Sequence, residues 1–108
     1  MKIILFLFIL MMSINVFSIE ATGDTTVTRF ITYNQYGNGD VAFKVANPTV
    51  NCFGYWLTTT DVGFDANVSH LLAAYQTKSK LKIHGYTDQR WSGSRNFWCK
   101  LYAVEYAK

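Results

Sequence analysis

The amino-acid sequence predicts a small, mainly β domain with one helix, whose elements follow in the order β-β-β-α-β-β. Five short segments alternate apolar and polar side chains, as half-buried strands do. One segment between the third and fourth of them instead repeats its apolar residues at helical spacing. In a chain of 108 residues this order favours a five-stranded, partly open barrel; the alternative is an open antiparallel sheet with one helix packed on it.

The N-terminus has the features of a secretory signal peptide over residues 1–18. Lys2 supplies the positive charge, residues 3–12 are apolar, and residues 16–18 form a candidate cleavage site. The apolar run is shorter than the ~20 residues that a membrane-spanning helix needs. We therefore expect cleavage after position 18, a secreted or periplasmic protein without a stable membrane span, and a single domain over residues 19–108.

Alternation of side chains predicts the first three strands at residues 25–33, 40–46 and 52–57. In the first strand, Val27 and Ile31 are expected on one face and Phe30 on the other. Segment 34–40 contains two glycines and two asparagines, which tolerate positive φ and so predict a turn. A second turn contains Pro48, the only proline.

A helix is predicted after the third strand. Its apolar residues recur at i, i+3, i+4 and i+7, which makes one stripe that must pack on a sheet: Val68, Leu71, Leu72 and Tyr75. Asp65 is the expected N-cap, because its carboxylate can accept from the first free backbone N–H groups.

The last two strands are predicted at residues 80–86 and 97–106, with a loop at 87–96 between them. The residues expected to face inward are Leu81, Ile83, Cys99, Leu101 and Ala103. Three strands, one helix and two strands in a chain of this length are typical of a barrel of the oligonucleotide/oligosaccharide-binding (OB) type.

Cys52 and Cys99 are the only two cysteines, and an exported chain meets an oxidising compartment. We expect them to form a disulfide, which would stabilise a domain of this size by roughly 3–4 kcal/mol. Metal binding is disfavoured because the thiols lie far apart and no CxxC or HxxxH spacing occurs near them.

Charge and motifs argue against several classes of function. Without Lys2 the chain has nine basic and seven acidic residues, a net charge of +2, which is not the balance of a nucleic-acid-binding protein. His70 and His84 fall on faces expected to be exposed, and neither has a nucleophile at a recognisable spacing. Paired carboxylates, phosphate loops and dinucleotide motifs are also missing from the sequence. We therefore expect a protein that is not an enzyme, with no cofactor and no metal.

The polar aromatic segment around the predicted loop 87–96 is the candidate binding site. Sugars present apolar faces edged with hydroxyls, so their sites combine an aromatic platform with amides and guanidinium groups. The candidate ligand-binding residues are Tyr86, Asp88, Gln89, Arg90, Trp91, Ser92, Arg95 and Asn96. Arg90 and Arg95 can each grip a carboxylate with two parallel bonds, which suits acidic sugars. Trp91 is either a ligand platform or a lid over the end of the core.

Several short features resemble a known family. They are the segment 20–24 just past the leader, Cys52 at the third strand, the spacing of Trp56, Leu71, Leu72, Ala74, Tyr75 and Thr77, and the strand at 80–84. In these the chain is similar to the B subunits of the subtilase-cytotoxin and typhoid-toxin type and to small exported bacterial proteins of the same layout. The resemblance implies an OB barrel, a homo-oligomeric ring of five copies and recognition of sialylated glycans. The family's sugar-binding serine and tyrosine align near Val27 and at Gly85.

The expected function is thus a secreted or periplasmic binding module, like a toxin B subunit, that takes a glycan or a protein ligand. The alternative is an exported envelope or interaction protein without a glycan ligand, whose aromatic residues pack against a partner or its own copies.

Overall fold

The computed structural model describes residues 18–107, so the predicted signal peptide lies outside the described residues except for its last position. The elements are β1 (Ile19–Ala21), β2 (Val27–Thr32), β3 (Val41–Val45), β4 (Gly54–Leu57), α1 (Phe64–Thr77), β5 (Leu81–Arg90) and β6 (Trp98–Tyr106). The prediction of a mainly β domain with one helix is confirmed. Among the described residues, no helix has the length and apolar character needed to cross a membrane.

All six strands belong to one sheet, in the order β1-β5-β6-β4-β3-β2. Neighbouring strands are antiparallel except β4 and β6, which run parallel. Five strands in a barrel were predicted, whereas the sheet has six strands, is mixed and is not closed. The alternative prediction of an open sheet with one packed helix is therefore the better description, apart from the parallel pair.

The two edge strands β1 and β2 follow each other in sequence, and this curls the sheet. At about 3.4 Å per residue their five-residue link reaches roughly 20 Å, whereas a flat sheet with five spacings of about 4.8 Å would need roughly 24 Å. Within the link, Thr25 exchanges two backbone hydrogen bonds with Leu81 of β5, at 2.9 and 2.8 Å. The link between β1 and β2 therefore runs along β5 as far as Thr25, and the chain pairs with β3 from Val27 onward.

A β-bulge in β2 overturns the alternation predicted for the first strand. Val27 is buried as expected, but the register with β3 shifts between Val27 and Arg29. Because a bulge adds one residue, the faces exchange beyond it. Phe30, and not Ile31, packs against the core.

The core lies between the curled sheet and α1. Its largest fully buried side chains are Tyr55, Phe43, Leu57, Leu71, Leu81 and Ile83. The predicted disulfide is present: Cys52 and Cys99 have Cα atoms 5.4 Å apart, and both residues are buried. Leu81, Ile83, Cys99 and Leu101 face inward as predicted, while Ala103 is only half-buried.

Helix α1 is rotated relative to the predicted stripe. Leu71 and Ala74 are buried, and Phe64 and Val68 pack against the core. Two members of the predicted stripe are instead exposed, Leu72 by 42% and Tyr75 by 40%. The predicted N-cap is also wrong, because Asp65 lies in the first turn of the helix and Gly63 occupies the N-cap position without a side-chain bond.

Candidate functional site

The segment predicted as a binding loop is partly strand. β5 continues to Arg90, so Asp88 and Gln89 are among the last residues of the strand. Only residues 91–97 connect β5 to β6. The sequence pattern missed this because the β5–β6 register shifts twice, once after His84 and again between Tyr86 and Arg90. Such shifts break the alternation by which strands are recognised.

Trp91 is not an open platform, since only 3% of it is exposed, and it belongs with Ala42 and Trp98 to a hydrophobic cluster that is separate from the main core. Its indole Nε1 donates to Asp40 Oδ2 at 2.9 Å, and its ring packs edge-on against Trp98 with centroids 5.4 Å apart. Gly93 lies against the ring, where an added Cβ would come within 2.4 Å of it. With its ring covered in this way, Trp91 presents no face on which a sugar can stack.

Several polar groups of this loop are used in hydrogen bonds within the protein. The Arg90 guanidinium donates to the backbone carbonyl of Ser94 at 3.0 Å and also to that of Arg95. The Ser92 hydroxyl bonds the Tyr36 hydroxyl at 2.9 Å, and the Asn96 N–H donates to Ser94 Oγ at 3.2 Å. Arg90 therefore stabilises the loop, while the Arg95 side chain is exposed.

A groove of about 380 Å³ lies beside this loop, between the outer face of β5 and β6 and the segment that leads into α1. Its polar and aromatic walls are Asp61, Asn67, Tyr86, Gln89, Lys100 and Tyr102. Tyr86 and Gln89 are two of the residues predicted from the sequence. The groove does not include the other six predicted residues, which were Asp88, Arg90, Trp91, Ser92, Arg95 and Asn96.

The strand registers explain why these side chains meet. Lys100 of β6 is paired with Tyr86 of β5 on one side and with Trp56 of β4 on the other. The three residues therefore form a row across adjacent strands. Lys100 and Tyr102 alternate with the inward-facing Cys99 and Leu101, and that alternation is the sequence signal from which this row could have been found.

Aromatic rings form one side of the groove. Tyr86 and Tyr102 meet edge to face with centroids 5.3 Å apart, and Tyr102 is 52% exposed. Trp56 does not line the groove itself but lies beneath Lys100, and its Nε1 donates to the Gln89 carbonyl oxygen at 3.1 Å. The rings are fixed by these contacts, so a ligand would meet a preformed surface.

An ion pair forms the polar side. Lys100 Nζ lies 3.0 Å from Asp61 Oδ1 and 4.5 Å from the centroid of the Trp56 ring. The second carboxylate oxygen of Asp61 accepts the Thr58 N–H at 2.9 Å. Both charges are largely covered, with side chains 16% exposed for Lys100 and 26% for Asp61. The pair is thus held in place by neighbours on both sides.

Two other hollows lie elsewhere on the described part of the protein. One of about 630 Å³ lies between the edge strand β2 and α1, and includes Thr28, Tyr75 and Lys78 but no amide or carboxylate side chain. The other, of about 520 Å³, lies around residues 44–53 and is bordered by Phe53 and Phe97. Within residues 18–107, no three His, Cys, Asp or Glu side chains come together in a way that could hold a metal ion.

No family model, curated protein or solved structure matches this chain at a significant level. The function of the groove therefore has to be inferred from its own residues. Gly85 lies close to the core, because an added Cβ would come within 2.8 Å of the buried Tyr55 ring. A large side chain at that position has no room.

Proposed function

We propose that this protein is an exported carbohydrate-binding module and that the groove beside β5 and β6 is its binding site. The observation that carries the proposal is the row of Trp56, Lys100 and Tyr86 across three strands, with Tyr102 and Gln89 beside it. Aromatic rings, an amide and charged groups converge there on one surface.

Each part of this surface suits one part of a sugar. The exposed Tyr102 ring can stack on the apolar C–H face of a pyranose. The Gln89 and Asn67 amides each have donor and acceptor atoms, and Asp61 and Lys100 add an acceptor and a donor at a fixed position. A sugar ring with hydroxyls around its edge would satisfy all of these groups at once.

The curl of the sheet supports an OB-like architecture for the module. β1 pairs with β5 and β2 pairs with β3, although only five residues separate the two strands. If β1 and β2 are counted as two halves of one long strand, the sheet has five strands, as an OB barrel does, although it remains open. In OB barrels the loop between the last two strands borders the ligand site, and Gln89 of the groove lies two residues before that loop.

The disulfide and the resemblance to toxin B subunits support an exported protein. A buried pair of cysteines is typical of proteins that fold in an oxidising compartment. Recognition of a host glycan by a secreted or periplasmic protein is consistent with that setting.

A glycan array with wild-type protein, followed by titration calorimetry on any hit, tests the proposal. Tyr102→Ala is expected to lower the affinity about fivefold or more, because stacking on an aromatic ring is worth roughly 1–3 kcal/mol. Tyr106→Ala is the matched control: Tyr106 is also on β6 and is 50% exposed, but it contacts His70 and lies outside the groove. An array without hits, or an equal loss in both variants, would contradict the proposal.

The second candidate is an interaction protein without a glycan ligand, and the exposed face of α1 favours it. Leu72 and Tyr75 are both exposed on that face, and Tyr106 of β6 lies next to the same helix. A partner protein or further copies of this chain, such as the ring of five, would cover these residues. Light scattering after size exclusion chromatography separates the cases. An oligomer that Leu72→Lys dissociates supports the second candidate. A monomeric wild-type protein contradicts the ring of five copies.

A further inference from the structure

We infer that the groove selects neutral sugars and excludes carboxylated ones, an inference that rests on the proposed carbohydrate-binding function. Its charged side chains are Asp61 and Lys100, whose charges cancel. The groove therefore offers no net positive charge to an acidic sugar.

The Lys100 ammonium is already engaged. It contacts the Asp61 carboxylate at 3.0 Å and lies over the Trp56 ring. A ligand carboxylate that reached Lys100 would also lie beside the Asp61 carboxylate, because both would bind the same ammonium group. Like charges brought together in a partly desolvated site strongly disfavour a ligand, so Asp61 acts as the element that rejects acidic sugars.

A neutral hydroxyl fits the same pair without displacing it. A sugar hydroxyl can donate to a carboxylate oxygen and accept from an ammonium, and neighbouring hydroxyls can do both at once. Asp61 is held by the Thr58 N–H and Lys100 by Trp56, so the pair is preformed for this purpose.

The arginines of the neighbouring loop do not supply the missing positive charge. The Arg90 guanidinium is bonded to the carbonyls of Ser94 and Arg95, and neither arginine lines the groove. The acidic-sugar recognition that the sequence suggested for Arg90 and Arg95 therefore has no counterpart in this groove.

Titration calorimetry with two oligosaccharides that differ only in a terminal carboxylated sugar tests the inference. We expect wild-type protein to bind the neutral oligosaccharide about tenfold more tightly or better, given the cost of like charges at an interface. Asp61→Asn frees the ammonium and should shift the ratio of affinities at least about tenfold towards the acidic ligand. Asp24→Asn, an exposed residue in the link between β1 and β2, is the control and should leave the ratio unchanged.

The outcomes separate the two claims. Binding of neither oligosaccharide, nor of any glycan on the array, overturns the proposed function itself. Tighter wild-type binding of the acidic ligand overturns the selectivity and leaves the proposed function in place. If thermal denaturation shows Asp61→Asn to be unfolded, Lys100→Gln replaces it: an unpaired Asp61 should reject the acidic ligand more strongly than in wild type, and an unchanged or reversed ratio overturns the inference.

Discussion

Trp91 holds together a second hydrophobic cluster, with Ala42 and Trp98, through both its ring and its N–H group. The ring packs on Trp98 and contacts Tyr33 and Tyr36, and the indole N–H satisfies the buried Asp40 carboxylate. The residue thus stabilises the fold beside the groove without lining it. Sequence reasoning left open whether Trp91 is a ligand platform or a lid, because tryptophan is large and seldom left wholly exposed.

Replacing Trp91 separates the two contributions. Trp91→Ala is expected to lower the free energy of unfolding by about 3–5 kcal/mol, as for other large aromatic side chains removed from a core. Trp91→Phe keeps most of the packing but removes a donor from Asp40, and should cost about 1–3 kcal/mol. Urea denaturation measures both, with Val50→Ala, at a site that is 94% exposed, as the near-neutral control. A loss below 1 kcal/mol for Trp91→Ala would contradict a stabilising role of this second cluster.

Glu20 on β1 couples stability to pH. The Thr49 hydroxyl and the Asn51 amide hold the pKa of this carboxyl below its ordinary value of 4.5, and the Asn51 Nδ2 donates to Oε2 at 2.6 Å. Because the folded state binds the proton less readily than the unfolded state, the stabilising contribution is present above about pH 4.5 and is lost as the pH falls through the lowered pKa.

The expected result is that Glu20→Gln is less stable than wild type at neutral pH and equal to it in acid. Denaturation across this pH range gives the difference in the free energy of unfolding. Asn51→Ala removes the Nδ2 donor and should shrink the pH-dependent difference. If the free energies of unfolding of wild type and Glu20→Gln differ by the same amount at every pH, the Glu20 carboxylate does not link stability to pH.

At the scale of elements, periodicity predicted where helix and strands occur better than which side chains they bury. Five predicted strands and the helix all exist, because alternation and helical spacing are local properties. The bulge in β2 and the rotation of α1 depend on contacts with distant strands, which local spacing does not encode. β1 was missed for a related reason, since its three residues become a strand only by pairing with β5.

The orientation of α1 is tested by two adjacent leucines. Leu71 is fully buried and Leu72 is 42% exposed. Leu71→Ala should lower the free energy of unfolding by about 2–5 kcal/mol, as for other buried leucines. Leu72→Ala removes the same atoms from an exposed position and should cost less than about 1 kcal/mol. Equal losses, measured by urea denaturation, would contradict the helix orientation.

At the scale of the whole molecule, the disulfide ties the segment before β4 to the parallel strand β6. It closes a separation of 47 residues, for which chain entropy predicts a stabilisation of roughly 4 kcal/mol. The double variant Cys52→Ser, Cys99→Ser is expected to lose most of this amount in urea denaturation. An unchanged midpoint would mean that the bridge contributes little to the fold.

The groove was only partly predictable because it is assembled by the sheet as a whole. Tyr86 and Gln89 were found because they lie near each other in one polar segment of the sequence. Asp61 lies far from that segment in sequence, and Lys100 and Tyr102 belong to the alternating pattern of the next strand. The parallel pairing of β4 and β6 brings Trp56 beside Lys100, and alternation within single strands carries no information about such a pairing. The loop residues were correctly recognised as polar and aromatic, but the side chains of Arg90, Trp91 and Ser92 are used in contacts within the fold.

The most direct measurement of the central claim is an NMR titration of isotope-labelled protein with the neutral glycan that binds most tightly. We expect the chemical-shift changes to concentrate at Asp61, Tyr86, Lys100 and Tyr102, with little change at Thr28, Tyr75 and Lys78 in the hollow beside β2. Changes centred on that hollow, or on the exposed loop around Arg95, would contradict the assignment of the groove as the binding site.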